Sequence, residues 1–179
     1  MSIIEDIKLQ YKIGGIANKM IYWNVGIFLL SIPLFYQFKI GVFEYPSWLA
    51  VSSEPLAILY KPWTLLTHAF FHDGFLHLFF NMMVLNFASR LFLTFFTQKQ
   101  YLGLYLLGAV FAGLVYVLSF YLLGHSSLMV GASAAIMALL VATTTYQPLM
   151  EIRLLFIGNV KLWHTTGVIL LLDLLQIQL

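Results

Sequence analysis

The sequence predicts an all-α polytopic membrane protein, and three observations predict it. Of the 179 residues, 61% are hydrophobic and 9% charged, with a mean hydropathy of +0.92. Apolar runs of about 20 residues, the length of helix that crosses a hydrocarbon core, recur along nearly the whole chain. Polar side chains inside those runs are few, so each must have a partner or a purpose.

Five spans are expected: Met20 to Phe38, Phe75 to Phe96, Tyr101 to Leu123, Val130 to Tyr146 and Arg153 to Gln176. Residues 1–19 carry Glu5, Asp6, Lys8, Lys12 and Lys19 without a small-residue cleavage site, and read as a short cytoplasmic lead. Residues 20–179 then form one membrane domain. Lys8, Lys12 and Lys19 before the first span, Arg90 and Lys99 around the turn after the second, and Arg153 after the fourth alternate as a cytoplasmic N-terminus requires. The loop 39–74, with Glu44, Glu54 and Asp73 against Lys39 and Lys61, faces outward, as does Gly124 to Met129.

Several function classes fall away. There is no cysteine, hence no disulfide, thiolate metal site or cysteine nucleophile. A net charge of +2 from scattered cations makes no nucleic-acid footprint. His68 and His72 have i, i+4 spacing, but without H-E-x-x-H or a third ligand they give no metal site, and no cofactor is called for.

Three polar residues remain where lipid disfavours them. His77 opens the second span from outside, with Asn81 one turn deeper on the same face. Ser133 stands about three residues into the fourth span, about 5 Å down at the helical rise, so topology puts all three in one layer. Packing favours contact between their helices. Gly131, Ala132, Ala134 and Ala135 open the fourth span, Ala134, Ala138 and Ala142 continue it, and the third span has Gly108 with Ala112 and Ala109 with Gly113.

Singly, each has a structural reading: Ser133 as a small packing residue bonded to its own helix, Asn81 as a link between helices, His77 as a side chain reaching interfacial water. Together they fit acyl transfer. Ser133 after Gly131 has its backbone N–H near the positive end of a helix, Asn81 can donate an amide N–H to the same oxyanion, and His77 can donate or orient. A positioned base is not evident. His164 is expected about 16 Å up the fifth span against about 25 Å for Ser133, and His125 lies on a loop.

The run Thr67-His68-Ala69-Phe70-Phe71-His72-Asp73-Gly74-Phe75-Leu76-His77-Leu78-Phe79-Phe80-Asn81, with Gly131-Ala132-Ser133-Ala134 at the matching topological place, resembles the rhomboid intramembrane serine proteases of bacterial type. The resemblance runs from about Trp63 to the end of the sequence. It implies a rhomboid-like helical bundle in which Ser133 is the nucleophile, Gly131 belongs to its motif, and His77 and Asn81 with the Ser133 N–H bind the oxyanion. It implies that the loop 39–74, rich in Trp48, Trp63, Phe70 and Phe71, is partly embedded in the outer leaflet. It also implies a catalytic His on a sixth helix, which is missing after Leu179, and an Arg where this chain has Thr64.

The expectation is an endopeptidase of the plasma membrane that cuts membrane-anchored proteins near the outer surface, with the lipid bilayer as its other partner. The alternatives are an inactive relative that binds transmembrane helices uncut, and a transporter or channel fragment with a polar path along Asn81, Ser133 and Lys161.

Overall fold

The computed structural model describes residues 3–154 and 158–176. A first helix, α1 (Ile3–Ile13), ends at Gly14 and turns through Gly15, at φ 67°, into α2 (Gly15–Phe35). Two short strands, β1 (Tyr36–Gln37) and β2 (Val42–Phe43), form a hairpin. They are followed by β3 (Val51–Ser52), α3 (Pro55–Tyr60), α4 (Thr64–Thr67) and a 3-10 turn at His68–Phe70. Next come α5 (Phe75–Phe95) and α6 (Gln98–Leu123), with the Thr97–Gln100 capping box starting α6 and left-handed Gly124 ending it. Strand β4 (Leu128–Met129) and α7 (Ser133–Tyr146) precede a hairpin of β5 (Glu151–Leu154) and β6 (Gly158–Lys161), and α8 (Leu162–Gln176) comes last.

Three helices are long and apolar enough to cross a membrane, α2, α5 and α6, while α7 and α8 are apolar but shorter. At 1.5 Å per residue, 14-residue α7 spans about 21 Å. It packs against α5, α6 and α8 and buries Ala135, Ile136, Leu139 and Leu140. Its small residues explain this centrality. A Cβ on Gly108 of α6 would stand 2.7 Å from the Ala138 Cβ, so the α6–α7 approach depends on there being no side chain at that place.

Two expected spans begin later than their hydropathy suggests. The fourth excludes Val130 to Ala132, because Gly131 takes φ 133° and breaks the helix, so Ser133 is the first residue of α7 rather than its fourth. The fifth excludes Arg153 and Leu154, which lie in β5, and Gly158 to Lys161, which form β6. The stretch Glu151 to Lys161 holds Glu151, Arg153, Asn159 and Lys161, too polar for lipid, and pairs as a hairpin with Glu151 opposite Lys161. His164 is therefore the third residue of α8, farther from Ser133 than expected. Lys161 lies near the opposite end of α7 from Ser133, which removes the polar path of the transporter reading.

Several buried polar groups in the bundle pair across helices or with their own backbone. Ser89 and Tyr101 hydroxyls meet at 2.8 Å, Thr144 and Thr166 at 2.6 Å, and the Thr143 hydroxyl donates to the Leu139 carbonyl. The first of these ties α5 to α6 and the second ties α7 to α8.

Candidate functional site

The site is built by a loop that grips the start of α7. β3 pairs antiparallel with β4, matching Val51 to Met129 and Ser52 to Leu128. Ser53 and Ser127 add a backbone bond of 3.1 Å and a side-chain bond of 3.0 Å. The Gly131 N–H donates to the His68 carbonyl at 2.9 Å. Together these bonds hold residues 127–132, which carry no helix, in one conformation.

The loop is itself pinned from below. The buried His68 ring bonds the Ala109 carbonyl of α6 through Nε2 at 3.2 Å, and Gly113 leaves room beside it for Leu65, whose Cδ2 stands 2.7 Å from where a Cβ would be. The Tyr105 hydroxyl donates to the Ala69 carbonyl, and the Tyr45 hydroxyl to the His72 carbonyl at 2.7 Å. Trp63 Nε1 donates to the Trp48 carbonyl, and both indoles remain about half exposed. Phe71 packs on Tyr45, while Phe70 packs against the core beside Tyr105. Thr64 is buried and donates to the Lys61 carbonyl.

His77 and Asn81 occupy one face of the first turns of α5, as their spacing predicts. The His77 ring lies directly on Gly131: a Cβ there would come within 2.9 Å of Cε1 and 3.0 Å of Nε2. Ser133 follows two residues later, half-buried, as the first residue of α7. Its N–H is one of the unshared donors of a helix start, pointing where the helix dipole is positive. Asn81 is 7% exposed and spends one amide hydrogen on the His77 carbonyl at 2.9 Å. The second amide hydrogen remains for a ligand.

Two acids stand at the site, and the sequence reading gave neither a role there: Asp73 was a loop charge, and Asp173 an unexplained residue near the outer end of the fifth span. Asp73 Oδ1 lies 2.6 Å from His77 Nδ1. This bond holds the Asp73 carboxyl below the usual carboxylate range. Asp173 of α8 lies near the Ser133 hydroxyl and within the field of His77. The signals were present: Asp73 and His77 are an i, i+4 pair astride a helix start, and an ionisable residue inside an apolar span is a site candidate by default.

His72 is wholly buried, and neither of its ring nitrogens has a partner among the described residues. Burial, with the His77 charge acting in the same direction, pushes its imidazole down to about 3, so the ring is neutral. It stands edge-on to His77 with ring centroids 5.1 Å apart. His125 is exposed on the rim of an open groove of about 700 Å³ lined also by Ser53, Glu54, Phe120 and Ser127, apart from the Ser133 cluster.

Apolar helices around a central short helix, with Ser133, His77 and Asn81 at one end, define a polytopic helical membrane bundle. The family model described as the Rhomboid domain matches residues 60–179, more than half of the chain. The chain belongs to the rhomboid family. No curated protein and no solved structure matches it.

Proposed function

We propose that this protein is an intramembrane serine endopeptidase that cleaves membrane-anchored proteins near the outer membrane surface. The observation that carries the reading is the convergence of Ser133, the His77 ring seated on Gly131, and Asn81 at one end of the bundle. Ser133 is the nucleophile. The Ser133 N–H, the free Asn81 amide hydrogen and His77 stabilise the oxyanion. The short α7 supports this reading, because its length of about 21 Å falls short of a ~30 Å core, so that water and an unwound substrate segment can reach its Ser133 end.

Charge supports an N-terminus in the cytoplasm of a bacterial plasma membrane, with residues 1–19 as a lead and 20–179 as the membrane domain. Within that domain, 39–74 is the outward loop, and half-exposed Trp48 and Trp63 suit it to the headgroup layer. Substrates are single-span proteins whose helices unwind beside α7, since a closed helix hides its carbonyls.

The test is covalent labelling of the protein in liposomes by a fluorophosphonate, together with cleavage of single-span substrates. Labelling of wild type and loss of both activities in Ser133→Ala supports the reading. A protein that binds transmembrane helices but is neither labelled nor able to cut is a non-catalytic relative, and the reading fails.

A further inference from the structure

The helix α1 takes no part in the Ser133 cluster. It has 11 residues, about 16 Å at the helical rise, and carries Glu5, Asp6, Lys8 and Lys12. It is too short and too charged to cross a ~30 Å core. The Gly14–Gly15 turn brings it against the first turns of α2 instead. There the Tyr22 hydroxyl donates to Gln10 Oε1 at 2.9 Å and Trp23 Nε1 donates to the Tyr11 hydroxyl at 3.1 Å. Lys19 Nζ stands 5.6 Å from the centre of the Tyr11 ring. Tyr11, Tyr22 and half-exposed Trp23 thus form an aromatic cluster at the start of the first span, the composition of a boundary between lipid and water. These bonds hold α1 at the depth of that boundary.

The faces of α1 differ. Ile4, Ile7 and Tyr11 recur at i, i+3 and i+7 and make one stripe, with Ile4 65% and Ile7 48% exposed. Tyr11 bonds a residue two turns past the start of α2, so the stripe looks toward the side on which α2 enters the bilayer. Exposed Lys8 and Lys12 lie on the adjoining flank with Glu5, and Leu9 and Ile13 stand beyond them on the far side. Gln98 of α6 lies 3.3 Å from where a Gly15 Cβ would be, which puts Lys99 at the same end of the bundle. Lys8, Lys12, Lys19 and Lys99 outnumber Glu5 and Asp6 there.

We propose that α1 is an interfacial anchor, which lays Ile4, Ile7 and Tyr11 into the inner leaflet and sets Lys8, Lys12 and Lys19 against anionic lipid headgroups. A lipid surface satisfies both halves of the pattern: acyl chains cover the isoleucines, and the lysine stems reach from the apolar layer to the phosphates. The surface is independent of the protease reading. The choice of leaflet rests on the cytoplasmic N-terminus proposed above.

The chain has no cysteine, so single nitroxide labels can be placed on the full protein through Ile4→Cys, Ile7→Cys, Lys8→Cys, Leu9→Cys and Lys12→Cys. Each is read by electron paramagnetic resonance in phosphatidylcholine liposomes with and without phosphatidylglycerol, using oxygen as the lipid-soluble relaxant and a nickel chelate as the aqueous one. Labels at 4 and 7 are expected to favour oxygen, and those at 8, 9 and 12 to favour nickel. Phosphatidylglycerol is expected to deepen 4 and 7, and high salt, or Lys8→Gln with Lys12→Gln, to cancel that gain.

Nickel access at 4 and 7 equal to that at 8 and 12, with phosphatidylglycerol present, overturns the proposal. So does a label at 9 deeper than those at 4 and 7, which would assign the wrong face. Shielding of 4 and 7 from both relaxants also overturns it, since a second copy of the chain would then cover the stripe. Depth indifferent to phosphatidylglycerol and salt removes the role of the lysines. Lys8→Cys in intact cells is expected to resist a membrane-impermeant maleimide. Labelling from outside would overturn the inner leaflet as the site and, with it, the orientation on which that choice rests.

Discussion

The Gly131 N–H donates to the His68 carbonyl at 2.9 Å, and this bond ties the turn before Ser133 to the loop that His68 anchors on α6. Gly131 also sits at φ 133°, with the His77 ring where a side chain would be.

Gly131→Ala combines backbone strain of about 1–3 kcal/mol with a collision against Cε1 and Nε2 of His77. The expected outcome is a lower midpoint for thermal unfolding in detergent and no fluorophosphonate labelling. A variant that unfolds and labels as wild type does would show that the close seat of His77 is not required.

Asn81→Ala removes one oxyanion donor and also the amide bond to the His77 carbonyl. Loss of a single such donor costs about 10²–10³ in kcat. The expected result is that loss with KM little changed, measured on a single-span substrate in liposomes. A change confined to KM would assign Asn81 to substrate binding instead.

Asp73 also sets a pH dependence of stability. Its folded carboxyl is held by the His77 bond below the ordinary carboxyl value of 3.8. The contribution is therefore full above that value and is lost as pH falls through the lower folded one. Because the side chain is 65% exposed, solvent screening keeps it under about 1 kcal/mol. Acid titration of unfolding should show a shallower loss below pH 4 in Asp73→Asn than in wild type. Identical curves would show that the pair adds nothing to folding.

Gly108→Val places a branched side chain where a Cβ alone already meets Ala138 Cβ at 2.7 Å. Overpacking of this kind costs about 1–3 kcal/mol. Unfolding in detergent should show the loss, and Gly26→Val, where a Cβ meets open space, should show little. Equal effects at the two positions would remove the close α6–α7 contact as the cause.

Much of this was legible in the chain. The apolar runs mark five helical segments, and the i, i+4 spacing of His77 and Asn81 puts them on one face. The small residues of α6 and α7 foretell their close approach, which Gly108 against Ala138 bears out. The fifth span was misjudged because Ile152, Leu154, Phe156 and Val160 read as apolar in a window average, whereas Glu151, Arg153, Asn159 and Lys161 make the same stretch a hairpin. Asp73 was read only as a loop charge, although its four-residue distance from His77 was in plain view.

By itself, the sequence determined that the chain is a membrane bundle of the rhomboid family and which residues are out of place in lipid, because length, hydropathy and motif spacing are properties of the chain. Only the tertiary structure decided what those residues touch. The bonds from residues 51–53 and from His68 to residues 127–131 join parts of the chain more than 60 residues apart, and they seat His77 on Gly131. No local pattern encodes such contacts. They follow from burying one apolar surface against another while pairing the backbone N–H groups of Ser127 and Gly131.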